Sequence, residues 1–527
     1  MKRNVAMFAV VIMAVGAVGF LLCGSYFKGD SLPKNPTIGN SIYYMPLEDR
    51  VQTLNPREVR FRSDYQIMKA IYDQFIGISR DGYVAPRVCY RWEISDDFKR
   101  YTFYLKDGVF FHDGKKLTSR DILFSFHYAG KNPTILYKLF TDIDGYEEYY
   151  RGKADHISGI KIIDDYTIQI TLKDSKPIFL YKLSDPRFVI LPENFHGIDE
   201  ADFFKMPIGA GPYMLKFWDE NKIVISRFDN YYGQKGYIKE FHIIPMERQD
   251  VIKTFENGKI FNLPYSLNIK TSEINRTDIA FQRADMIGVH MLFFNNQKYP
   301  LTNKFVRLAI RAAIDRDRLV EKCYPENEVA SGIIPTGLVG SANSRGEFYD
   351  LNNSVEYYLN KAGLKTKDLP LMHVIRFKET QDNCFKPTIE KMFKNAKLPI
   401  TVEILSYEDG MKLFSDNDYH ILSEWITVRN LEPLNIIHFF DGRSTQNLAK
   451  IDDIDINKLI DLAEGARSRA SRAAIYKEIS DHIVRKAYVV DMDYLRRDFI
   501  YDQRVRGPSI PDPISQLVGF NEIWLED

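Results

Sequence analysis

Three pairs of adjacent acids, Asp96-Asp97, Asp164-Asp165 and Asp452-Asp453, are the residues best suited to acid–base chemistry, because two carboxyls flanking a glycosidic bond can hydrolyse it. All three pairs fall in turn contexts, where adjacent acids cap backbone amides, and that structural role is the expected one. The chain has no His-Glu-x-x-His, no glycine-rich phosphate loop before a lysine and no Gly-x-Ser-x-Gly elbow. Its ten histidines are dispersed, and His112, which follows two phenylalanines in a hairpin without a second ligand nearby, reads as structural. No catalytic residue, metal site or cofactor is therefore predicted. An extracellular glycosidase-like enzyme is the distant alternative, and binding is the reading to pursue.

Lys plus Arg and Asp plus Glu each total 71, so no overall field recruits nucleic acid or an acidic polymer. At 527 residues the chain exceeds the size at which one core keeps growing, and more than one packed unit is expected. Lys2 and Arg3 precede an apolar stretch from Val5 to Cys23, the pattern of an export signal. Gly19 to Gly24 resembles a bacterial lipobox in which Cys23 becomes lipidated, although Leu22 stands where such signals carry a small residue. Three outcomes stay open: a lipoprotein, an uncleaved anchor or ordinary cleavage. All three put the body outside the cytoplasm, held at the membrane in the first two by a lipid or an N-terminal helix. Residues 1–28 are assigned to this signal or anchor, and 29–40 to a polar, proline-bearing tether. Cys89, Cys323 and Cys384 are scattered and odd in number. Buried free thiols are the default for them, and if one pair bridges, the sequence does not say which.

The elements that must position any site begin with a strand at Ser41 to Met45 and a helix whose apolar stripe is Ile67, Met68, Ile71 and Phe75. A β-rich stretch follows, with hairpins around Ser95 to Asp97 and Asp164-Asp165. Between them Thr118 to Asp121 forms a capping box for a helix over 122–128. Strand alternation returns over 209–226, and an apolar run spans Val289 to Asn295. The second half alternates helices and strands, unlike the strand-dense first half. The fold class is mixed α/β.

The order of these signals carries a resemblance. Leu54-Asn55-Pro56, Ala85-Pro86, Trp92, Phe111-His112-Asp113-Gly114, Pro207 to Tyr213, Asn230-Tyr231-Tyr232, Phe294-Asn295-Asn296-Gln297 and Val306 to Arg316 occur in one sequence. Together they resemble the family 5 extracellular solute-binding proteins, the oligopeptide- and dipeptide-binding proteins of bacterial ABC importers. The resemblance covers about Ile42 to Leu525. It implies a two-lobed periplasmic-binding-protein-like fold with three subdomains and an interlobe cleft. The first lobe would take residues 38–291 and 490–527, with a β-rich subdomain at about 80–200, and the second 292–489. The chain would cross between them at Val289 to Asn296 and Tyr488 to Leu495. It implies a monomer that captures a peptide or other small solute by hinge closure and delivers it to a membrane permease. A binding lipoprotein without transport, such as a sensor, adhesin or peptide chaperone, is the alternative.

In the family's peptide binders a Trp is followed three residues later by an Asp that pairs with the peptide amino terminus. Here Trp425 matches, and Val428 stands at the acid's position. An ammonium group removed from water needs acceptors, so the ordinary amine anchor is missing. Glu424 and Glu432 are nearby substitutes, and Arg429 would favour a carboxylate. In the second crossing, pleat alternation places Val489, Asp491 and Asp493 on one face and Val490, Met492 and Tyr494 on the other, with one face at the cleft. The competing reading for the two acids is pairing with Arg496 or Arg497. The predicted ligand-binding residues are Trp425, Glu424, Arg429, Asp493, Tyr494 and Asn55, with Tyr149 and Tyr150 as lesser candidates.

Overall fold

The computed structural model describes residues 39, 41–47, 49–59, 61–79, 82–131, 136–267, 269–341, 353–377, 383–428, 431–507 and 518–526. Cys23, Leu22 and most of the expected tether lie outside them, as does Arg429. Residues 41–527 form one compact unit. Among the described residues no helix is long and apolar enough to cross a membrane.

The strand Ile42–Leu47 runs parallel to Glu240–Pro245, which pairs antiparallel with Ile223–Arg227 and then Tyr213–Trp218. Tyr43 and Met45 face inward, opposite Phe241 and Ile243, and the helix Arg62–Ile71 docks on them through Ile67, Met68 and Ile71. Phe75 does not extend this stripe. The chain turns extended at Tyr72, and Phe75 enters the core of the next sheet beside Phe103 and Phe126. The end of that helix also explains the Pro207 to Tyr213 motif. Gly211 N–H donates to Ile71 O at 2.9 Å, and a Cβ on Gly209 would lie 2.0 Å from the same oxygen. Only glycine allows this approach. His112 completes the joint, accepting from Gly209 N at 3.2 Å through Nδ1 and meeting Gly211 O at 3.0 Å through Nε2. Burial holds its pKa down to about 4, so it is neutral near pH 7.

The second sheet is antiparallel, ordered Cys89–Ile94, Arg100–Leu105, Thr167–Thr171, Ile160–Asp164, and contains both expected hairpins. Its core is aromatic: Tyr101, Phe103, Phe126, Phe140, Phe179 and Phe188 are buried together. One arm of the expected capping box is present, with Asp121 Oδ2 accepting from Thr118 N at 2.7 Å, while the Thr118 hydroxyl accepts from Arg120 N at 3.3 Å; the helix they open runs on to Lys131.

The third sheet has six strands in the order Glu328–Val329, Val489–Asp502, Ile279–Phe294, Ile421–Thr427, Met372–Phe377, Ile400–Leu405. Its two longest members, Ile279–Phe294 and Val489–Asp502, pair antiparallel from the Ile279/Asp502 end to the Phe293/Val489 end. They form one ribbon, longer than the apolar run in the sequence suggests. Arg307, within the Val306 to Arg316 motif, donates to Leu301 O, Lys486 O and Ala487 O, and Arg311 donates to Val484 O. Two guanidiniums thus satisfy the C-terminal carbonyls of the helix Arg469–Lys486.

Cys323 and Cys384 form a disulfide, so free thiols are not the state of this pair, whereas Cys89 is free and buried. The bridge ties the end of the helix Arg316–Cys323 to the start of Phe385–Asn395 and spans 61 residues of sequence. Closing a loop of that length stabilises a fold by about 4 kcal/mol through the unfolded chain. The double variant Cys323→Ser/Cys384→Ser should lose that much in urea unfolding. Reductant should lower the melting temperature of the parent protein and leave the variant unchanged.

Candidate functional site

A cavity of about 740 Å³ opens between the two halves of the chain. Phe61, Leu136, Leu139, Tyr181, Lys182, Asp185 and Arg187 line it from the first half. Phe377, Tyr407, Met411, Phe414, Leu434, Asn435, His438, Phe439, Thr445, Gln446, Leu448 and, on one strand, Leu422 and Glu424 to Thr427 line it from the second. Glu424 and Trp425 therefore both border it. Successive strand residues point to opposite faces, so Glu424 stands with Leu422 and Ile426 while the Trp425 ring belongs to the other face. There it stacks on His290 with ring centroids 4.4 Å apart and meets Tyr324 edge-on, with the Arg497 guanidinium 5.7 Å from its centre.

Behind Trp425 lies a buried polar network that the sequence reading did not single out. His290 Nδ1 is 3.1 Å from Asp493 Oδ1, and its Nε2 is 2.9 Å from Ser423 Oγ. Asn327 donates to Asp493 Oδ2 at 2.6 Å. Arg376 donates to Ser423 Oγ and to the Tyr324 hydroxyl, each at 3.0 Å, and lies over the Phe385 ring. Ser, His and Asp in this order have the connectivity of a hydrolytic triad, yet His290 and Asp493 have no exposed surface and Ser423 has 2%. No substrate reaches that hydroxyl, and a guanidinium already donates to it. The array is a structural one, satisfying charges that would otherwise be costly to bury. The signal for it was present as polar residues interrupting four apolar strands; what places them together is the strand register.

That register also changes the reading of the second crossing. His290 pairs with Asp493 and Met291 with Asp491, a shift that leaves Met492 as an extra residue. His290 and Met291 point to opposite faces, so the two acids do as well, contrary to simple alternation. Asp493 meets His290 and Asn327, while Asp491 meets Arg316 at 3.2 Å, and burial raises the Asp491 pKa above the usual carboxylate value. Of the two expected partners, Arg496 binds Asp285 and Glu328, whereas the Arg497 guanidinium feels the attraction of Asp493.

Asp493, Tyr494 and Asn55 are not among the residues bordering the cavity. The Tyr494 hydroxyl bonds to Gly332 O and Ile334 O in the core, and the Asn55 side chain organises its own turn, accepting from Arg57 N and Tyr128. Tyr149 is buried, its hydroxyl on His127 O, and Tyr150 is exposed. Glu432 forms a buried ion pair with Arg472 at 2.7 Å. Val428, at the acid's position, is buried in apolar core, with its N–H on Ile287 O.

An ion cluster at the edge of the cavity joins the two halves. Lys182 Nζ lies 2.8 Å from both Asp142 and Glu464, Lys176 is 2.6 Å from Glu464, and His438 Nε2 is 3.3 Å from it. Burial opposes the charges, but the mutual attraction prevails, holding Lys182 above and Glu464 well below their ordinary pKa values. Asp142, Lys176 and Lys182 come from the first half, and His438 and Glu464 from the second. Among the described residues no group of three His, Cys, Asp or Glu is placed to hold a metal ion.

Residues 84–447 match the family model of bacterial extracellular solute-binding proteins, family 5 Middle. The chain belongs to this family. The periplasmic oligopeptide-binding protein OppA of Escherichia coli is 23% identical over 531 residues, covering 95% of this chain and 96% of that protein. Among solved structures, the periplasmic binding protein DppA of Helicobacter pylori, in complex with the peptide STSA, superposes with a TM-score of 0.77 at 20% identity, covering 92% of this chain and 98% of that one. The E. coli murein tripeptide binding protein MppA gives a TM-score of 0.78 at 17% identity, covering 94% and 100%. The fold of this family 5 chain is thus the periplasmic-binding-protein-like one.

Asp493→Ala should cost on the order of 3–5 kcal/mol in urea unfolding, because it strands the buried polar partners of the structural array. Ser423→Ala should cost about 1 kcal/mol. A fluorophosphonate probe should leave Ser423 unlabelled in the native protein; labelling there would make the array a nucleophilic centre.

Proposed function

We propose that this protein captures a peptide or peptide-like solute outside the cytoplasm by closing its two halves over the cavity, and delivers it to an ABC-type permease. The observation that carries this is the position of the cavity, walled by both halves and edged by an ion cluster shared between them. Opening the halves would separate Glu464 from Lys176 and Lys182. The first half would keep two lysines against Asp142, the second an acid beside His438, so the halves attract on closing. Family membership supports a binding role, the association of the Helicobacter relative with an ABC transporter supports delivery, and the N-terminal Lys2, Arg3 and apolar run support export.

Val428 in the apolar core supports a further point, that the peptide amino terminus is held without the acid this position carries in the family's peptide binders. Native mass spectrometry of protein purified from its own periplasmic or surface fraction tests the proposal. Co-purified short peptides are the expected result, and a sugar or metal chelate in their place would contradict it.

A further inference from the structure

The walls of the cavity specify more than a peptide. Phe377, Met411, Phe414, Leu422, Leu434 and Phe439 give it a largely apolar lining from the second half, interrupted by polar groups such as Glu424, Asn435 and Gln446, and Leu136 and Leu139 line it from the first. The basic side chains on the wall, among the described residues, are Lys182, Arg187 and His438. Lys182 is held by Asp142 and Glu464, Arg187 by Asp185 at 2.6 Å through Nε, and His438 by Glu464. Each basic side chain thus has an acid partner from the protein itself. A carboxylate entering the cavity would lose its hydration and find the wall cations already engaged, whereas an apolar group would exchange water for aromatic and aliphatic contacts.

We infer that the cavity accommodates a bulky apolar group that carries no negative charge, so that among peptides it selects a large hydrophobic side chain and rejects an acidic one. This rests on the proposed role as a solute-binding cavity and deepens it by assigning the ligand's chemical class. A volume of about 740 Å³ holds far more than one small side chain, so a bulky occupant is favoured over alanine as well as over aspartate.

The test uses the exported protein and four probes: the tripeptides Ala-Phe-Ala, Ala-Ala-Ala and Ala-Asp-Ala, and the uncharged fluorophore N-phenyl-1-naphthylamine. Titration calorimetry should show Ala-Phe-Ala binding at least about tenfold more tightly than either other peptide. The fluorophore should brighten with the parent protein and be displaced by Ala-Phe-Ala. Met411→Glu, on the helix Tyr407–Ser415, should weaken both Ala-Phe-Ala and the fluorophore at least about tenfold, and Met411→Leu should preserve them. Circular dichroism melts confirm that both variants fold. Fluorophore binding that Met411→Glu weakens, with no tripeptide bound, would uphold the apolar class and overturn the peptide reading. Ala-Asp-Ala binding as tightly as Ala-Phe-Ala would overturn the apolar class and leave the peptide reading standing. Indifference of the fluorophore to Met411→Glu, or binding by none of the four probes, would also overturn the apolar class.

Discussion

The six-stranded sheet depends on one condition: the polar side chains on its central ribbon must find partners inside the protein. His290, Asp491 and Asp493 have no exposed surface, and an unpaired ion at such a site would be more costly than the fold can tolerate. The shift between His290 and Met291 meets this condition by turning the two acids to opposite faces, one toward Asn327 and His290, the other toward Arg316. Arg376 and Ser423 then complete the array from neighbouring strands. Trp425 is stacked on this array, so a strand that borders the cavity is locked in place from behind.

Across the sheet the problem is different. The cavity side is apolar, and its few charges are paired along the boundary between the halves. The cluster of Lys176, Lys182, Asp142 and Glu464 places buried ion pairs where the halves meet. Such pairs favour one arrangement of the halves over others more than they add overall stability, because much of their attraction goes to offset desolvation. This suits the proposed closure of the two halves around a solute in one defined way.

Much of the architecture was legible in the chain because it is written in local chemistry. Alternation identified the hairpins of the second sheet, Thr118 to Asp121 announced its helix, and the ordered motifs pointed to the family. The motifs also proved to have local physical causes, such as the glycines pressed on Ile71 O and Arg307 on the helix end. What was not legible depends on register and distance. Pleat counting put Asp491 and Asp493 on one face because a single extra residue leaves no mark in composition. The Cys323–Cys384 pairing, the His290 array and the ion cluster each join residues far apart in sequence, and no spacing rule selects them. Glu424 and Trp425 reached the cavity, whereas Asn55 and Tyr494 resembled cleft residues only by their place in the chain and are consumed by local hydrogen bonds.

The central claim is that two halves close over the cavity, and small-angle X-ray scattering addresses it directly. Saturating the protein with Ala-Phe-Ala, with occupancy verified by calorimetry, should reduce the radius of gyration and narrow the distance distribution. A saturated protein whose scattering is unchanged from the unliganded one would contradict closure as the means of capture.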